Sequence, residues 1–212
     1  MPFGYIGQNQ PKQLVKNAGV VDVMHHGILS KKKHIGQTME LLHTETISNA
    51  SVVDITTGLG SGYDTHIFQL HNIHTAGDNK DLEIRVFVSG SIVDSGTDYQ
   101  RSRRLSEGGT SEHDDRDDDM HTMKIKGETG NASGEAVNGY LYMFNALSST
   151  MMTHFHWQMG HIMHNSVYQN TKGVGSYKVA TALTGIRFYL SSGNISSGTI
   201  KVYGLKQWAK AI

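Results

Sequence analysis

The sequence of 212 residues contains no cysteine. This absence excludes disulfide bonds, thiolate metal sites and a cysteine nucleophile. A stable fold must therefore depend on a buried core, on association between chains or on bound ions.

The sequence also lacks an excess of charge of either sign and lacks long apolar runs. Lysine plus arginine equals aspartate plus glutamate at 19 each, so there is no net basic charge to attract nucleic acid. No run approaches the ~20 apolar residues that cross a bilayer. Residues 1–17 lack the apolar core of a signal peptide. We expect a protein that binds no nucleic acid, inserts into no membrane and carries no visible secretory signal.

Proline is scarce, with two residues, whereas 24 glycines lie mainly between strand-like runs. Apolar and polar residues alternate along these runs, which is the period of a half-buried strand. The clearest run is 82–88, with Leu82, Ile84, Val86 and Val88 on one face. Roughly nine or ten such runs are expected. Together they predict an all-β, jelly-roll-like β-sandwich over residues 38–212.

Three other segments carry specific expectations. Residues 185–206 alternate in two runs around Gly193 and Asn194, which predicts a closing β-hairpin. Residues 135–145 carry apolar groups on both faces, which predicts a central strand covered on two sides. Residues 93–118 are polar and are expected to form a long excursion.

Residues 1–37 differ from the rest, because glycines interrupt every apolar run and amides fill the spaces. We expect an extended N-terminal arm with a short helix near 20–33. Phe3, Tyr5 and Ile6 are large apolar groups that a solvated tail tends to lack. The predicted partner-binding residues of the arm are Phe3, Gly4, Tyr5, Ile6 and Gly7.

Histidines are concentrated in residues 151–164. If 151–159 is a strand, His154 and His156 project from the same face, as two ligands of one metal must. A third ligand would have to come from His161, His164 or another strand. A polar surface, or imidazoles paired across a subunit interface, is the alternative and is favoured. No metal or other cofactor is therefore assigned.

An acidic run covers residues 112–119 and could gather calcium through carboxylate oxygens. It lacks the register of an EF-hand loop, so a solvated loop neutralised by Arg101, Arg103 and Arg104 is favoured. The glycine sets at 58–62 and 173–176 precede no helix, which disfavours phosphate binding. No nucleophile elbow is present. Scattered carboxylates leave glycoside cleavage as a third-ranked function.

Several aromatic residues are expected at outward strand positions, where they would fill a subunit interface or, less favourably, stack on sugars. These residues are Tyr63, Tyr99, Tyr168, Tyr177, Tyr189 and Trp208.

Four segments resemble small all-β virion proteins of tailed bacteriophages. They are GYIG at 4–7, YDTHIFQLHNI at 63–73, GNASGEAVNGYLYMFN at 130–145 and SGNISSGTIKVYGL at 192–205. The resemblance implies a β-sandwich, a symmetric oligomer with a trimer favoured, and an N-terminal segment docked on the particle. It implies no catalytic residues.

From this resemblance we expect a non-enzymatic virion structural protein, assembled in the host cytoplasm. A short tail fibre or receptor-binding type is favoured, with tail or capsid proteins as partners and a host surface glycan as a further ligand. A capsid decoration or cement protein is the first alternative. A carbohydrate-binding module with a metal or calcium site is the second.

Overall fold

The computed structural model describes residues 39–109 and 112–206. The predicted arm at 1–37, its short helix and its partner-binding residues lie outside these ranges, as does Trp208. Thirteen strands occupy the described residues, more than the sequence indicated. They are β1 (Met39–Ala50), β2 (Val52–Ile55), β3 (Tyr63–Thr75), β4 (Lys80–Val88), β5 (Ser91–Ile92), β6 (Tyr99–Glu107), β7 (Glu112–Met120), β8 (Met123–Thr129), β9 (Val137–Phe144), β10 (Thr153–Ile162), β11 (Tyr168–Tyr177), β12 (Leu183–Leu190) and β13 (Ile195–Lys206).

The strands form two antiparallel sheets. The large sheet has eight strands in the order β1-β13-β3-β9-β10-β11-β6-β7. The small sheet has five strands, in the order β2-β12-β4-β5 with β8 also paired to β4. Phe68 of the large sheet meets Phe188 of the small sheet, with ring centroids 5.7 Å apart. The prediction of an all-β sandwich is therefore confirmed, whereas jelly-roll connectivity stays a prediction.

The core lies between the sheets and follows the alternation in the sequence. On β4, Leu82, Ile84 and Val86 are buried. On β10, Phe155 and Trp157 are buried while His154 and His156 are exposed. Each buried side chain adds to the apolar area removed from water, which is the main stabilising contribution in a fold of this kind.

The predicted closing hairpin is wrong. Strand β12 pairs with β2 and β4 in the small sheet, whereas β13 pairs with β1 and β3 in the large sheet. Residues 191–194 thus cross from one sheet to the other, with Gly193 at a φ of 79°. Facing strands of a sandwich and paired strands of a hairpin both direct alternate apolar residues into the core, so the alternation alone does not separate them.

The prediction that residues 93–118 form a long polar excursion from the sheets is also wrong. Strands β6 and β7 pair there as an antiparallel hairpin at one edge of the large sheet. Most side chains of β7 are charged and exposed. Charged edge strands disfavour pairing with another chain, and cross-strand ion pairs replace the apolar alternation that marks other strands.

Candidate functional site: the outer face of the large sheet

The large sheet brings side chains from distant segments into rows on the face that points away from the core. In one row Tyr142 of β9 pairs with His156 of β10, which pairs with Val174 of β11. The row continues to Ser102 of β6 and Arg116 of β7. The neighbouring rows contain Phe144 opposite His154 and Tyr140 opposite Gln158. We call this surface the outer face.

Aromatic rings run along the middle of the outer face. Tyr140 and Tyr142 meet edge to face with centroids 5.4 Å apart, and Tyr142 stacks on Phe144 at 6.0 Å with an interplanar angle of 10°. The ring of His156 lies edge-on to Phe144 at 5.1 Å. We call these four residues the aromatic strip. Tyr140 is 41% exposed and His156 is also exposed, whereas Tyr142 and Phe144 are half-buried.

Apolar side chains continue the row of Tyr142 in the opposite direction. Tyr142 pairs with Ile67 of β3, Ile67 with Tyr203 of β13, and Tyr203 with Leu41 of β1. Leu41 is 52% exposed although it is a large apolar residue. The row therefore extends from the edge strand β1 to Val174, which is 47% exposed, whereas Ile67 within the row is buried by its neighbours at 9% exposure.

The sequence did not predict the aromatic strip, because apolar residues on both faces of β9 were interpreted as a strand covered on two sides. The inner residues Leu141 and Met143 are fully buried, as expected. The outer residues, however, are exposed or half-buried, and no described part of the chain covers them completely. The prediction of a strand covered on two sides is therefore wrong for the described chain. The excess of apolar groups was the signal that could have indicated a contact surface.

The two candidate metal ligands lie on the outer face, as their spacing predicted. His154 and His156 are both exposed on β10. His161 is 2% exposed and faces the core, so it is separated from them. Within residues 39–109 and 112–206, no group of three or more His, Asp or Glu side chains is arranged to hold a metal. The contact of His156 with Phe144 makes it part of an aromatic surface.

An open groove of about 660 Å³ adjoins the aromatic strip where β10, β11, β6 and β7 lie side by side. One wall carries His154 and His156, and the opposite wall carries Arg116, Asp117 and Asp118. The outer face thus changes along the sheet from apolar at β1 to aromatic at β9 and charged at β7.

The acidic run is strand β7, and its carboxylates pair with arginines of β6. Asp115 Oδ2 accepts hydrogen bonds from Arg101 at 2.7 Å and from Arg103 at 2.9 and 2.6 Å. Partial burial of Asp115 opposes its ionisation, but the bonds from both arginines outweigh this effect and lower its pKa. The predicted neutralisation of the run by neighbouring arginines is confirmed, although the run is a strand and not a loop.

The aromatic residues expected at outward positions divide into two groups. Tyr99 and Tyr177 are buried, with ring centroids 5.4 Å apart, so they belong to the core. Tyr168 is 54% exposed, while Tyr63 and Tyr189 are half-buried. Burial raises the pKa of Tyr189 to about 12, with its hydroxyl 2.5 Å from that of Thr122. These five residues form no common surface comparable to the aromatic strip.

Comparison with known proteins gives no identification. The chain matches no protein-family model, and searches of curated proteins and of solved structures give no significant match. In the described ranges, no helix has the length and apolar character of a membrane span. Functional conclusions therefore depend on the residues themselves.

Proposed function

We propose that this chain is a non-enzymatic structural protein of a tailed-bacteriophage particle, of the short tail-fibre or receptor-binding type. In this proposal the sandwich associates with further copies of the chain through the outer face, and residues 1–37 dock onto a neighbouring virion protein. The resemblance of four segments to phage virion proteins supports the proposal that the chain is part of a phage particle. The main support for the contact surface is the exposure of the apolar residues at the two ends of the row, Leu41 at 52% and Val174 at 47%, among the described residues.

The outer face has the character of a subunit interface. Its apolar row crosses six neighbouring strands, from β1 to β11, and sheet strands lie about 4.8 Å apart, so the row spans roughly 24 Å. Large exposed side chains at several points of one sheet face, such as Leu41, Tyr140 and Val174, are typical of a contact surface. Tyrosine supplies large contact area at little entropic cost and is enriched at interfaces.

A second copy is the occupant that the charges favour. The formal net charge is zero, so two copies do not repel each other. The charged end of the outer face carries both signs close together, with Arg104 opposite Asp114 in the β6–β7 pairing. A symmetric contact can therefore place each charge of one copy against the opposite charge of another.

A specific observation favours glycan binding as the second candidate function. The Tyr140 hydroxyl donates to Gln158 Oε1 at 3.0 Å, and Gln158 Nε2 donates to Asn170 Oδ1 at 3.4 Å. Amide groups beside exposed rings are suited to a sugar, because the rings take its apolar face and the amides take its hydroxyls. A receptor-binding protein would use this edge of the strip on the host surface.

Cross-linking mass spectrometry of intact particles tests whether the protein belongs to the phage tail. We expect links from Lys12 and Lys16 to a tail component, whereas links to the major capsid protein would support the decoration alternative. Deletion of residues 1–20 should abolish incorporation and leave the sandwich folded. Normal incorporation of the truncated protein would contradict the docking role of the arm.

A glycan array tests the second candidate function with purified full-length protein. Binding to a defined sugar that is lost in Tyr140→Ala and kept in Tyr168→Ala would support it, since both residues are exposed tyrosines. Absence of binding across host glycans would contradict it and leave the outer face to subunit contacts.

A further inference from the structure

A buried amide and a buried amine meet in the interior, away from the outer face. Gln169 of β11 is 1% exposed and lies on the inner face of the large sheet. Its neighbours in the sheet are His161 of β10 and Glu107 of β6. Lys126 of β8, which belongs to the small sheet, is fully buried and extends to Gln169 across the sandwich.

Both ends of the Gln169 amide are held. Its Oε1 accepts hydrogen bonds from Lys126 Nζ and, at 3.4 Å, from the Thr171 hydroxyl. Its Nε2 donates to Glu107 Oε1 at 2.9 Å and contacts Met163 Sδ at 3.3 Å. The amine and the Thr171 hydroxyl therefore both contact the carbonyl oxygen of the carboxamide, and a carboxyl group contacts its amide nitrogen.

The interior favours the neutral, nucleophilic form of this lysine. Burial and, next, the positive charge of Arg103 lower the pKa of Lys126 from its ordinary 10.5 to about 7. Burial and the Lys126 charge also lower the pKa of His161 to about 3, so its imidazole is neutral. The His161 Nδ1 lies 3.1 Å from the main-chain oxygen of Gln169, to which it donates, and this bond fixes the strand beside the amide.

We propose that Lys126 and Gln169 form an intramolecular amide cross-link. Lys126 Nζ attacks Gln169 Cδ and forms the new C–N bond, while the Thr171 hydroxyl donates to the carbonyl oxygen as negative charge develops there. Glu107 takes the proton from Nζ and gives one to Nε2, so that the C–Nε2 bond breaks and ammonia leaves. No oxidant or other reactant is consumed, and Glu107 is regenerated.

The cross-link joins the two sheets covalently. Lys126 belongs to the small sheet through the pairing of β8 with β4, and Gln169 belongs to the large sheet. A covalent bond between facing sheets restricts the unfolded chain, as a disulfide does in a protein that has cysteines. This inference is independent of the proposed function, because it concerns only residues inside the sandwich.

Intact-mass measurement of the purified full-length protein tests the cross-link. We expect the wild-type mass to be lower than the sequence mass by one ammonia molecule. Glu107→Gln should restore the sequence mass, because the amide cannot shuttle a proton, and its partly exposed position should leave folding intact. Lys201→Arg, a change at a lysine of the outer face, should leave the deficit unchanged.

Peptide mapping assigns the bond. Trypsin should fail to cleave after Lys126, and cleavage after Glu128 and Glu135 should yield peptides that remain joined through Lys126 and Gln169. An ammonia deficit located at Asn138-Gly139, as a succinimide, would overturn the proposal. A wild-type protein at full sequence mass, with normal tryptic cleavage after Lys126, would also overturn it.

Discussion

Tyr142 and Phe144 stack with an interplanar angle of 10° and centroids 6.0 Å apart on a face that no described strand covers. Rings two residues apart on one strand both project to the same side, so the stack is a direct consequence of the strand period. Both rings are half-buried, so part of each ring remains in contact with water in an isolated sandwich. Their place on the surface is explained by a partner that removes them from water.

Asp115→Asn should destabilise the sandwich by roughly 2 kcal/mol, less than the 3–5 kcal/mol of a fully buried pair because a third of the carboxylate is exposed. The substitution leaves two nearly buried guanidinium groups, of Arg101 and Arg103, without their counter-charge. Urea denaturation monitored by tryptophan fluorescence measures the change.

Glu112→Gln is the matched control on the same hairpin. Its partner Arg104 and the glutamate itself are well exposed, so the loss of stability should be clearly smaller than that of Asp115→Asn. Equal losses for the two variants would show that burial does not determine the value of these ion pairs.

Tyr99→Phe should cost about 1–3 kcal/mol, because it removes a fully buried hydroxyl and leaves both of its main-chain partners without a hydrogen bond. The hydroxyl accepts from the Val86 main-chain N–H at 2.9 Å and donates to the Val93 carbonyl at 3.1 Å. The bond from Val86 connects β6 of the large sheet to β4 of the small sheet. Tyr168→Phe, at an exposed tyrosine, should change the free energy of unfolding little. A loss of stability as large as that of Tyr99→Phe would contradict the role given to the buried hydrogen bonds of Tyr99.

His66→Leu should stabilise the protein by about 1 kcal/mol at pH 7, since both ring nitrogens are buried without a hydrogen-bond partner. Burial lowers the pKa of His66, and burial lowers that of His161 to about 3. Between pH 6.5 and about 3 the unfolded chain therefore binds more protons than the folded chain, so wild-type stability falls as the pH falls.

Thermal unfolding at pH 7 and pH 5 measures this dependence. His66→Leu should lose less stability than wild type between the two values, whereas His113→Leu, at an exposed histidine of β7, should follow wild type. Identical acid sensitivity in wild type and His66→Leu would show that protonation of this residue is not coupled to unfolding.

The sequence predicted strands well where one face is buried. On β10 the alternation of Phe155 and Trp157 with His154 and His156 placed each side chain correctly, because the strand period leaves only two faces. Pairing partners were harder to infer. The same alternation fits β12 and β13 as a hairpin or as strands of facing sheets, and only long-range packing selects the second.

Charge pairing and surface aromatics account for the other differences. Strand β7 has no apolar alternation, and its stability depends on Arg101 and Arg103 meeting Asp115 across the hairpin. The outer residues of β9 were expected to be covered because they are aromatic. The meeting of Lys126 with Gln169 depends on the packing of the two sheets, which local pattern does not contain.

Sedimentation velocity of full-length Val174→Lys and Val52→Lys tests most directly whether the outer face joins copies of the chain. Both valines are exposed, at 47% and 40%, but Val174 lies on the outer face and Val52 on the small sheet. We expect wild type and Val52→Lys to sediment as the same oligomer. Val174→Lys, which buries a charge in the contact, should weaken association at least about tenfold. A monomeric wild type, or unchanged assembly of Val174→Lys, would contradict the account.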